Sequence, residues 1–325
     1  MDKRFLCASF GLALLWMGCA RQVHPDVGYS RDPAPDSSEE SGYRHPSRHR
    51  HADPLLGADR EFHGVRLSDD SQLDAEELLD ALATYDLVCF GEDHDDAIHH
   101  WSQLAVLHGL QVRAQASGRE LGLGVEMIEA SFRRSVSDFN AGEMRLKDLP
   151  EAVEWASRWG YDFALYRPLF AFAQRHRIPV VALNVSREIV HAVAQDGLAS
   201  LAPEQMHELP RLDLEDAEHR AAFDRQMADH PETGHPDDIY AAQVVWDETM
   251  ARNASAWLAE HQPARQLVVL AGAAHCRSSA IPARVSRRMP DSRVAAILPE
   301  RRAEQSDDDR SGYDYVLMLE DSPRP

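Results

Sequence analysis

The sequence predicts an α/β fold: a mostly parallel sheet with helices on both faces and an additional helical insertion. Short apolar runs, each long enough for one buried strand, alternate with segments of helical periodicity. These runs are apolar at consecutive positions, which is typical of parallel strands that are covered on both faces. No strand pattern occurs between about residues 197 and 260. We therefore expect one domain over residues 61–325 with a helical insertion at about 197–260.

The individual elements follow from apolar spacing and from helix-start signals. Strands are expected at Leu87–Phe90, Leu121–Met127, Pro179–Asn184, Gln266–Gly272, Arg293–Leu298 and Tyr313–Leu319. Helices are expected at Ser71–Ala83, Ala97–Ala116, Ser131–Phe139, Leu149–His176, Arg187–Ala194 and Pro236–Glu260. Asp95 or Asp96 is a suitable N-cap for the second helix, and Pro236 suits the first turn of the last one. The acidic run at residues 305–310 predicts a solvated loop.

The N-terminus has the pattern of a secretory signal peptide of the lipoprotein type, residues 1–19. Two basic residues precede an apolar stretch, Phe5–Met17, which is too short to span a bilayer in the mature protein. The stretch ends at Gly18 and Cys19, and lipoprotein processing requires a small residue before the cysteine. We expect lipidation at Cys19, which would anchor the protein to a membrane. An ordinary signal peptide, or an uncleaved anchor with an incidental cysteine, is the alternative.

Residues 20–60 predict a disordered tether between this signal and the domain. They are rich in Pro, Ser, Asp, Arg and His and have almost no apolar periodicity. His45, His49 and His51 form a loose tract that could collect metal ions, although a polar linker is the simpler interpretation.

The overall charge restricts the partners that the protein can have. The formal net charge is -20, whereas binding to nucleic acid needs clustered Lys and Arg. The same charge opposes electrostatic attraction to anionic lipid. We therefore expect no nucleic-acid partner, and we expect membrane attachment only through the lipid anchor.

Two cysteines, Cys89 and Cys276, remain inside the predicted domain. Export would place them in an oxidising compartment. Cys89 lies on the first expected strand and Cys276 directly follows His275, so both can lie near the same end of one sheet. A disulfide is one alternative. We favour two buried thiols, because buried strands accommodate cysteine as a small hydrophobic residue.

Four of the apolar runs end in side chains that can bind ligands or transfer protons. These side chains are Glu92 with His94, Glu126, Asn184 and His275. Open α/β sheets place their sites at the carboxyl ends of strands. We therefore expect Glu92, His94, Glu126 and His275 to share one pocket.

The helix that follows Glu92 carries His99, His100 and Gln103 on adjacent parts of one face. They either join the pocket or are partly exposed helix residues. Histidine and glutamate together suit zinc, manganese or iron, so a divalent metal is one candidate ligand of this group.

Five segments of the chain resemble the ChaN-like haem-binding lipoproteins, which belong to a broader superfamily with the erythromycin esterases and the TraB/Tiki proteins. The segments are GEDH with HHWSQ, GVEM, YRPLFAFAQRHRIPVVALN, AQVVWDETMA and AGAAHCRSSAIPARV. They occur in this order over roughly Leu87 to Pro282. The resemblance implies a lipoprotein linked to iron or haem uptake, in the periplasm or at the outer membrane.

The resemblance also implies that haem binds between the two subunits of a homodimer, with a tyrosine on the iron and a histidine from the partner. On this basis Tyr240 is the expected iron ligand, and His219, His230 or His235 is the expected contact from the partner. Phenolate is a known ligand of haem iron, although spacing alone favours a packing role for Tyr240. Arg167 could bind a haem propionate or form an ion pair with a glutamate of the site.

The alternative function is a hydrolase that uses the strand-end pocket and resembles the erythromycin-esterase and Tiki relatives. Glu92 or Glu126 would act as general base on water. His94 and His275 would either bind a divalent metal together with Glu126 or carry protons. The two functions use different surfaces, because haem binding depends on Tyr240 and hydrolysis on the strand ends.

Overall fold

The computed structural model describes residues 61–228, 234–260, 264–301 and 310–319. Eight strands form one sheet there: β1 (Phe62–Arg66), β2 (Ser71–Leu73), β3 (Leu87–Glu92), β4 (Glu120–Glu129), β5 (Val180–Asn184), β6 (Arg265–Gly272), β7 (Val294–Arg301) and β8 (Tyr315–Leu319). Their order is β2-β1-β8-β7-β3-β6-β4-β5. All pairs from β8 to β5 are parallel, and β1 is antiparallel to both of its neighbours. The predicted mostly parallel sheet is confirmed, with an antiparallel edge.

Helices cover both faces of this sheet. They are α1 (Ala75–Leu82), α2 (Ala97–Ser117), α3 (Arg133–Asn140), α4 (Leu149–Ala152), α5 (Trp155–Arg158), α6 (Phe163–His176), α7 (Arg187–Asp196), α8 (Pro203–Glu208), α9 (Ala217–Met227), α10 (Pro236–Ala259) and α11 (Ile281–Arg288). Short 3₁₀ turns occupy Ala130–Phe132, Leu146–Asp148, Leu198–Ser200 and Ala273–Cys276. Asp96 is the N-cap of α2, because its carboxylate accepts from the backbone N–H groups of Ile98 and His99.

Alternate side chains of the central strands enter two separate cores. Val88 and Phe90 of β3 belong to the core that is shared with α1, α2 and α6. Leu87 and Cys89 point to the opposite core, which is shared with α10 and α11. Successive strand residues face opposite sides of a sheet, so both series must be apolar. This two-sided burial explains why the strands are recognisable as continuous apolar runs.

The predicted helical insertion between residues 197 and 260 contains α8, α9 and α10. The last of these is part of the layered core, because Met250, Ala251 and Ala254 pack against the sheet. Helices α8 and α9 precede it. The insertion therefore supplies one of the covering helices of the sheet. Among the described residues, no helix combines the length and the apolar character that crossing a membrane would need.

Two local expectations were wrong, and two elements, β1 and α11, were not predicted. Residues 71–73 form strand β2 rather than the start of a helix, and β1 was not expected at all. These short strands are held by pairing with each other and with β8. The expected helix Leu149–His176 is divided into α4, α5 and α6, because Glu154 and Gly160 adopt left-handed backbone conformations, with φ of 52° and 86°. Helix α11 was not predicted.

The two buried cysteines form a disulfide, which corrects the expectation of free thiols. Cys89 on β3 and Cys276 in the 3₁₀ turn after β6 have Cα atoms 5.2 Å apart, a normal separation for a bridge. Both are fully buried in the core that faces α10 and α11. The bond thus fastens the turn that carries His275 to the neighbouring strand. Cys19, the tether with its three histidines, the acidic run and His230 lie outside the described residues.

Candidate functional site

The candidate site is a cavity at the carboxyl ends of the central strands. Strands β3, β6 and β4 are consecutive neighbours in the sheet, so the residues that end them are brought together. The cavity has a volume of about 220 Å³ and is lined by Glu92, His94, Glu126, Asn184 and His275, among others. All five predicted strand-end residues therefore reach one pocket, as expected for an open parallel sheet.

The first part of the site is a histidine–carboxylate pair on one strand end. His94 Nδ1 lies 2.8 Å from Glu92 Oε1. An ionised carboxylate can only accept a hydrogen bond, so Nδ1 carries the ring proton and donates a hydrogen bond to Glu92. This contact leaves Nε2 as the nitrogen of His94 that can act in the pocket.

Glu92 is held from behind by side chains of two helices. Tyr166 of α6 donates to its Oε1 at 2.6 Å, and Gln103 of α2 donates to its Oε2 at 2.8 Å. His100 Nδ1 lies 3.5 Å from Oε2. Burial alone would raise the pKa of Glu92, but the bond from His94 and the nearby imidazole charges outweigh burial and lower that pKa. Glu92 is thus an ionised carboxylate that orients His94.

The pocket wall fits closely around the His94 ring. A Cβ atom placed on Gly272 would lie 3.0 Å from Cε1 and 3.1 Å from Nε2 of His94, so a larger residue there would require the imidazole to move by a few tenths of an ångström. The rings of Trp159 and Tyr161 stand against the imidazole with centroid separations of 4.7 and 5.0 Å. Burial opposes the charged ring, but the bond to Glu92 and the charge of Glu126 raise the pKa of His94.

Glu126 lies between the two histidines of the pocket. Its Oε2 accepts from the backbone N–H of Gly272 at 2.7 Å. Its Oε1 lies 3.5 Å from His275 Nε2. Asn184 supports the same strand end, because its amide donates to the backbone carbonyl of Glu126 at 2.9 Å. Glu126 is therefore a fixed carboxylate with one oxygen directed toward the pocket histidines.

The second histidine–carboxylate pair joins His275 to Asp247 of α10. His275 Nδ1 lies 2.6 Å from Asp247 Oδ1, and Asp247 is completely buried. Burial would raise the pKa of Asp247, but the two histidines around it lower that pKa far below its usual value. Burial likewise opposes charge on His275, yet Glu126 and Asp247 raise its pKa to about 9. His275 thus donates from Nδ1 to an ionised carboxylate, as His94 does.

Asp247 has a further partner on helix α9. His219 Nε2 lies 2.9 Å from Asp247 Oδ2. The other ring nitrogen of His219 lies 3.2 Å from the hydroxyl of Tyr240 and 3.2 Å from the guanidinium of Arg284. Arg284 is fully buried. A continuous set of hydrogen-bonding groups therefore runs from α9 and α11 to the pocket.

The arrangement is suited to acid–base chemistry. Two imidazoles, each oriented by its own carboxylate, flank a third carboxylate in a small cavity. Within the described ranges, no group of three or more His, Cys, Asp or Glu side chains is arranged to hold a metal ion. The geometry therefore does not support the metal-dependent alternative.

Of the described residues predicted for haem, Tyr240 and His219 are buried, and His235 and Arg167 are exposed. Tyr240 is 3% exposed and packs against Phe223, and His219 is also buried. His235 is exposed and caps the N-terminus of α10. Arg167 is exposed on α6; its neighbour Tyr166 makes the contact with Glu92 instead.

Sequence reasoning missed Asp247, Tyr166 and the site role of His219. In α10, Asp247 directly follows Trp246 and comes three residues before Met250, and both of these neighbours are apolar. A charged residue close to apolar helix positions is the signal that could have identified it. His99 and His100, for which exposure was one alternative, are both buried. His100 donates from Nε2 to the His94 carbonyl at 3.1 Å and so supports the first pair.

Comparisons with known proteins agree with this fold. The family described as "Haem-binding uptake, Tiki superfamily, ChaN" matches residues 78–285. The solved structure of ChaN of Campylobacter jejuni with cofacial haem is 16% identical, and the alignment covers 80% of this chain and 97% of that one with a TM-score of 0.63. No curated protein matches the sequence significantly.

Two further structures align with lower scores. The type III effector HopBA1 is 19% identical over 76% of this chain and 93% of that one, with a TM-score of 0.39. An erythromycin esterase mutant, EreC, in its open conformation is 11% identical over 79% and 82%, with a TM-score of 0.43. Because the family match covers well over half of the sequence, the chain belongs to the ChaN family of haem-binding uptake proteins in the Tiki superfamily.

Proposed function

We propose that the protein binds haem. The observation that carries this proposal is the match of residues 78–285 to a family described by haem binding and uptake. The similar fold of the Campylobacter jejuni protein, whose structure is described as cofacial haem binding, is in keeping with it.

The described residues place two limits on where haem can bind. The strand-end cavity of about 220 Å³ is smaller than the ~300–1,000 Å³ that is typical of pockets for drug-sized ligands, so it cannot enclose a porphyrin. Tyr240 does not fit the role of iron ligand in this conformation. Its hydroxyl is hydrogen-bonded inside the protein, and burial raises its pKa to about 12. We therefore propose haem binding for the protein, and the role of Tyr240 as iron ligand stays a prediction.

Haem titration followed by absorbance tests this proposal. A saturable shift of the Soret band is expected, and no saturable shift would overturn haem binding. Tyr240→Phe and Tyr161→Phe form a matched pair, since each removes one phenol hydroxyl. Loss of the shift only in Tyr240→Phe would support the predicted ligand, and equal binding by both variants would exclude it.

We propose further that the protein is a lipoprotein, anchored at Cys19 in the periplasm or outer membrane, that takes part in iron or haem uptake as a homodimer. Support comes from the signal pattern of residues 1–19 and from the family description. Labelling of cells with a radioactive fatty acid should mark the wild type but not Cys19→Ala. Size-exclusion chromatography with light scattering should show a dimer when haem is added. Absence of label, or a monomer with haem bound, would contradict the corresponding part.

One observation favours a second function, hydrolysis without a metal at the strand-end pocket. Glu126 is held by Gly272 N–H and lies between two imidazoles that are oriented by carboxylates. Glu126 would take a proton from water, and the attacking oxygen would form a bond to a carbonyl carbon. Charged His94 and His275 would donate to the carbonyl oxygen, which becomes negative. As the C=O bond re-forms, the bond from that carbon to the leaving group would break, and one of the two histidines would protonate the leaving group. The proton held by Glu126 would then pass to that histidine.

A screen of ester and amide substrates tests this second function. Glu126→Gln is expected to lower any turnover by at least ~100-fold, which is the usual contribution of a general base. Glu120→Gln, at the opposite, exposed end of the same strand, is the control and should retain activity. Chelators should have no effect. Turnover that survives Glu126→Gln, or that chelators abolish, would contradict this mechanism.

A further inference from the structure

Three side chains from three separate elements meet in a buried chain beside the pocket. His219 of α9 and His275 after β6 contact opposite carboxylate oxygens of Asp247 on α10, at 2.9 and 2.6 Å. Asp247 is 0% exposed, and both histidines are more than nine-tenths buried. Each of these hydrogen bonds needs one donor and one acceptor. The proton position on His219 therefore restricts the proton position on His275.

The outermost partner is Arg284, which fixes the proton position on His219. Its guanidinium lies 3.2 Å from His219 Nδ1. A guanidinium has donors but no acceptor, so Nδ1 of His219 must accept. The ring proton of His219 is therefore on Nε2, where it is donated to Asp247 Oδ2. Asp247 Oδ2 is thus committed to accepting from His219, and Oδ1 accepts from His275 Nδ1 at 2.6 Å. The amide nitrogen of Gln243 lies 3.1 Å from the same ring nitrogen, but it also lies 3.4 Å from Asp247 Oδ2 and donates there.

We infer that Asp247 and His219 are positioning residues that fix the proton of His275 on Nδ1 and direct its Nε2 toward Glu126 and the pocket. The inference concerns the same pocket as the second proposed function and rests on that proposal only for its catalytic meaning. It also assigns a site role to the helical insertion, because α9 supplies His219 and Gln226 of the same helix lines the cavity.

Asp247→Asn gives a specific test, because asparagine has one accepting and one donating group. His219 can only donate to residue 247 while Arg284 occupies its Nδ1. The asparagine must then turn its oxygen to His219 and its NH₂ group to His275. The neutral ring of His275 is expected to move its proton from Nδ1 to Nε2 in this variant.

The double variant His219→Leu with Asp247→Asn sharpens the test. Leucine removes the donor that holds the asparagine oxygen, so the asparagine can turn that oxygen back to His275. The proton of His275 is then expected to return to Nδ1. Such a restoration by a second substitution would not result from general loosening of the core. Tyr240→Phe is the matched control, because Arg284 still holds His219, and no change at His275 is expected.

The measurement is a long-range ¹H–¹⁵N NMR spectrum of the full chain labelled at histidine, recorded above the pH at which His275 loses its charge. His275→Gln identifies the signals. Retention of the Nδ1 proton in Asp247→Asn, or its failure to return in the double variant, would overturn the inference. The readout needs neither haem nor substrate, so absent turnover would count against hydrolysis and not against this role.

A second comparison serves if Asp247→Asn does not fold. His219→Gln retains an N–H donor for Asp247, and His219→Leu does not. The Nδ1 proton of His275 should exchange with water faster in the leucine variant than in the glutamine variant. Equal exchange in both variants and the wild type would overturn the role of His219.

Discussion

The two histidine–carboxylate pairs of the pocket have the same local geometry but are assembled in different ways. Glu92 and His94 are two residues apart at the end of one strand, at a hydrogen-bond distance of 2.8 Å. Asp247 and His275 are 28 residues apart on a helix and a turn, and their distance is 2.6 Å. Glu92 ends β3 and His94 lies in the turn directly after it, so the first pair forms between near neighbours in the chain. The second pair exists only after α10 has docked on the sheet.

The side chains that support the two carboxylates also come from different elements. Behind the first carboxylate lie Tyr166, Gln103 and His100, which come from α6 and α2. Behind the second lie His219 and, beyond it, Arg284. The disulfide acts more directly on the second pair, since Cys276 directly follows His275, whereas Cys89 lies three residues before Glu92 on β3. Both carboxylates therefore have hydrogen-bonded support, but only the non-local pair has a histidine directly beside a covalent link.

Removing either carboxylate should change the free energy of unfolding more than the other substitutions do. Glu92→Ala and Asp247→Ala each leave buried polar partners without an acceptor, and each is expected to lower the free energy of unfolding by about 3–5 kcal/mol. Urea denaturation followed by circular dichroism measures both values. A much smaller cost for Asp247→Ala than for Glu92→Ala would show that the second pair is not an equivalent structural unit.

Removing the disulfide should separate the pairs. Cys89→Ala with Cys276→Ala is expected to lower the free energy of unfolding by about 2–5 kcal/mol, because the bridge closes a long loop of the unfolded chain. In NMR spectra, the His275 signals should broaden or shift more than the His94 signals. Equal changes at both histidines would contradict the specific support of the second pair.

The stability should also depend on pH through His275. Its pKa rises from 6.5 to about 9 in the folded protein. The resulting stabilisation is fully present below pH 6.5 and is lost as the pH rises through about 9, and it amounts to roughly 3 kcal/mol. Urea denaturation at several pH values measures it. His275→Gln should show a flatter profile over this range, and an identical profile would refute the assignment to His275.

The smallest expected effect concerns the close contact between Gly272, at the end of β6, and the ring of His94. Gly272→Ala would bring a Cβ to 3.0 Å from the His94 ring and should cost about 1–3 kcal/mol of folding free energy. The cost should fall when His94→Ala is also present, because the clash is then relieved. Thermal denaturation of the four proteins forms the cycle. Additive costs would mean that the glycine is required for another reason.

The central strands and the residues at their ends follow from local patterns in the sequence. Apolar side chains on both faces of β3, β4, β5 and β6 follow from burial on both sides, so each strand is a continuous run. Because parallel strands end at the same edge, Glu92, His94, Glu126 and His275 could be assigned to one pocket without the structure. The N-cap of α2 was likewise predicted, at Asp95 or Asp96, since capping is a local interaction.

The remaining features depend on contacts between distant parts of the chain. Strands β1 and β2 are short and are fixed by pairing, since β1 pairs with β8 and β2 pairs with β1. The bond between Cys89 and Cys276 joins residues 187 positions apart, and no local pattern distinguishes such cysteines from buried thiols. Tyr240, the predicted iron ligand, is enclosed by α9 and contacts His219. Periodicity places a side chain on one side of a helix, but helix docking decides what covers that side. The same docking brings Asp247 to His275, which is why the second pair could not be read from the sequence.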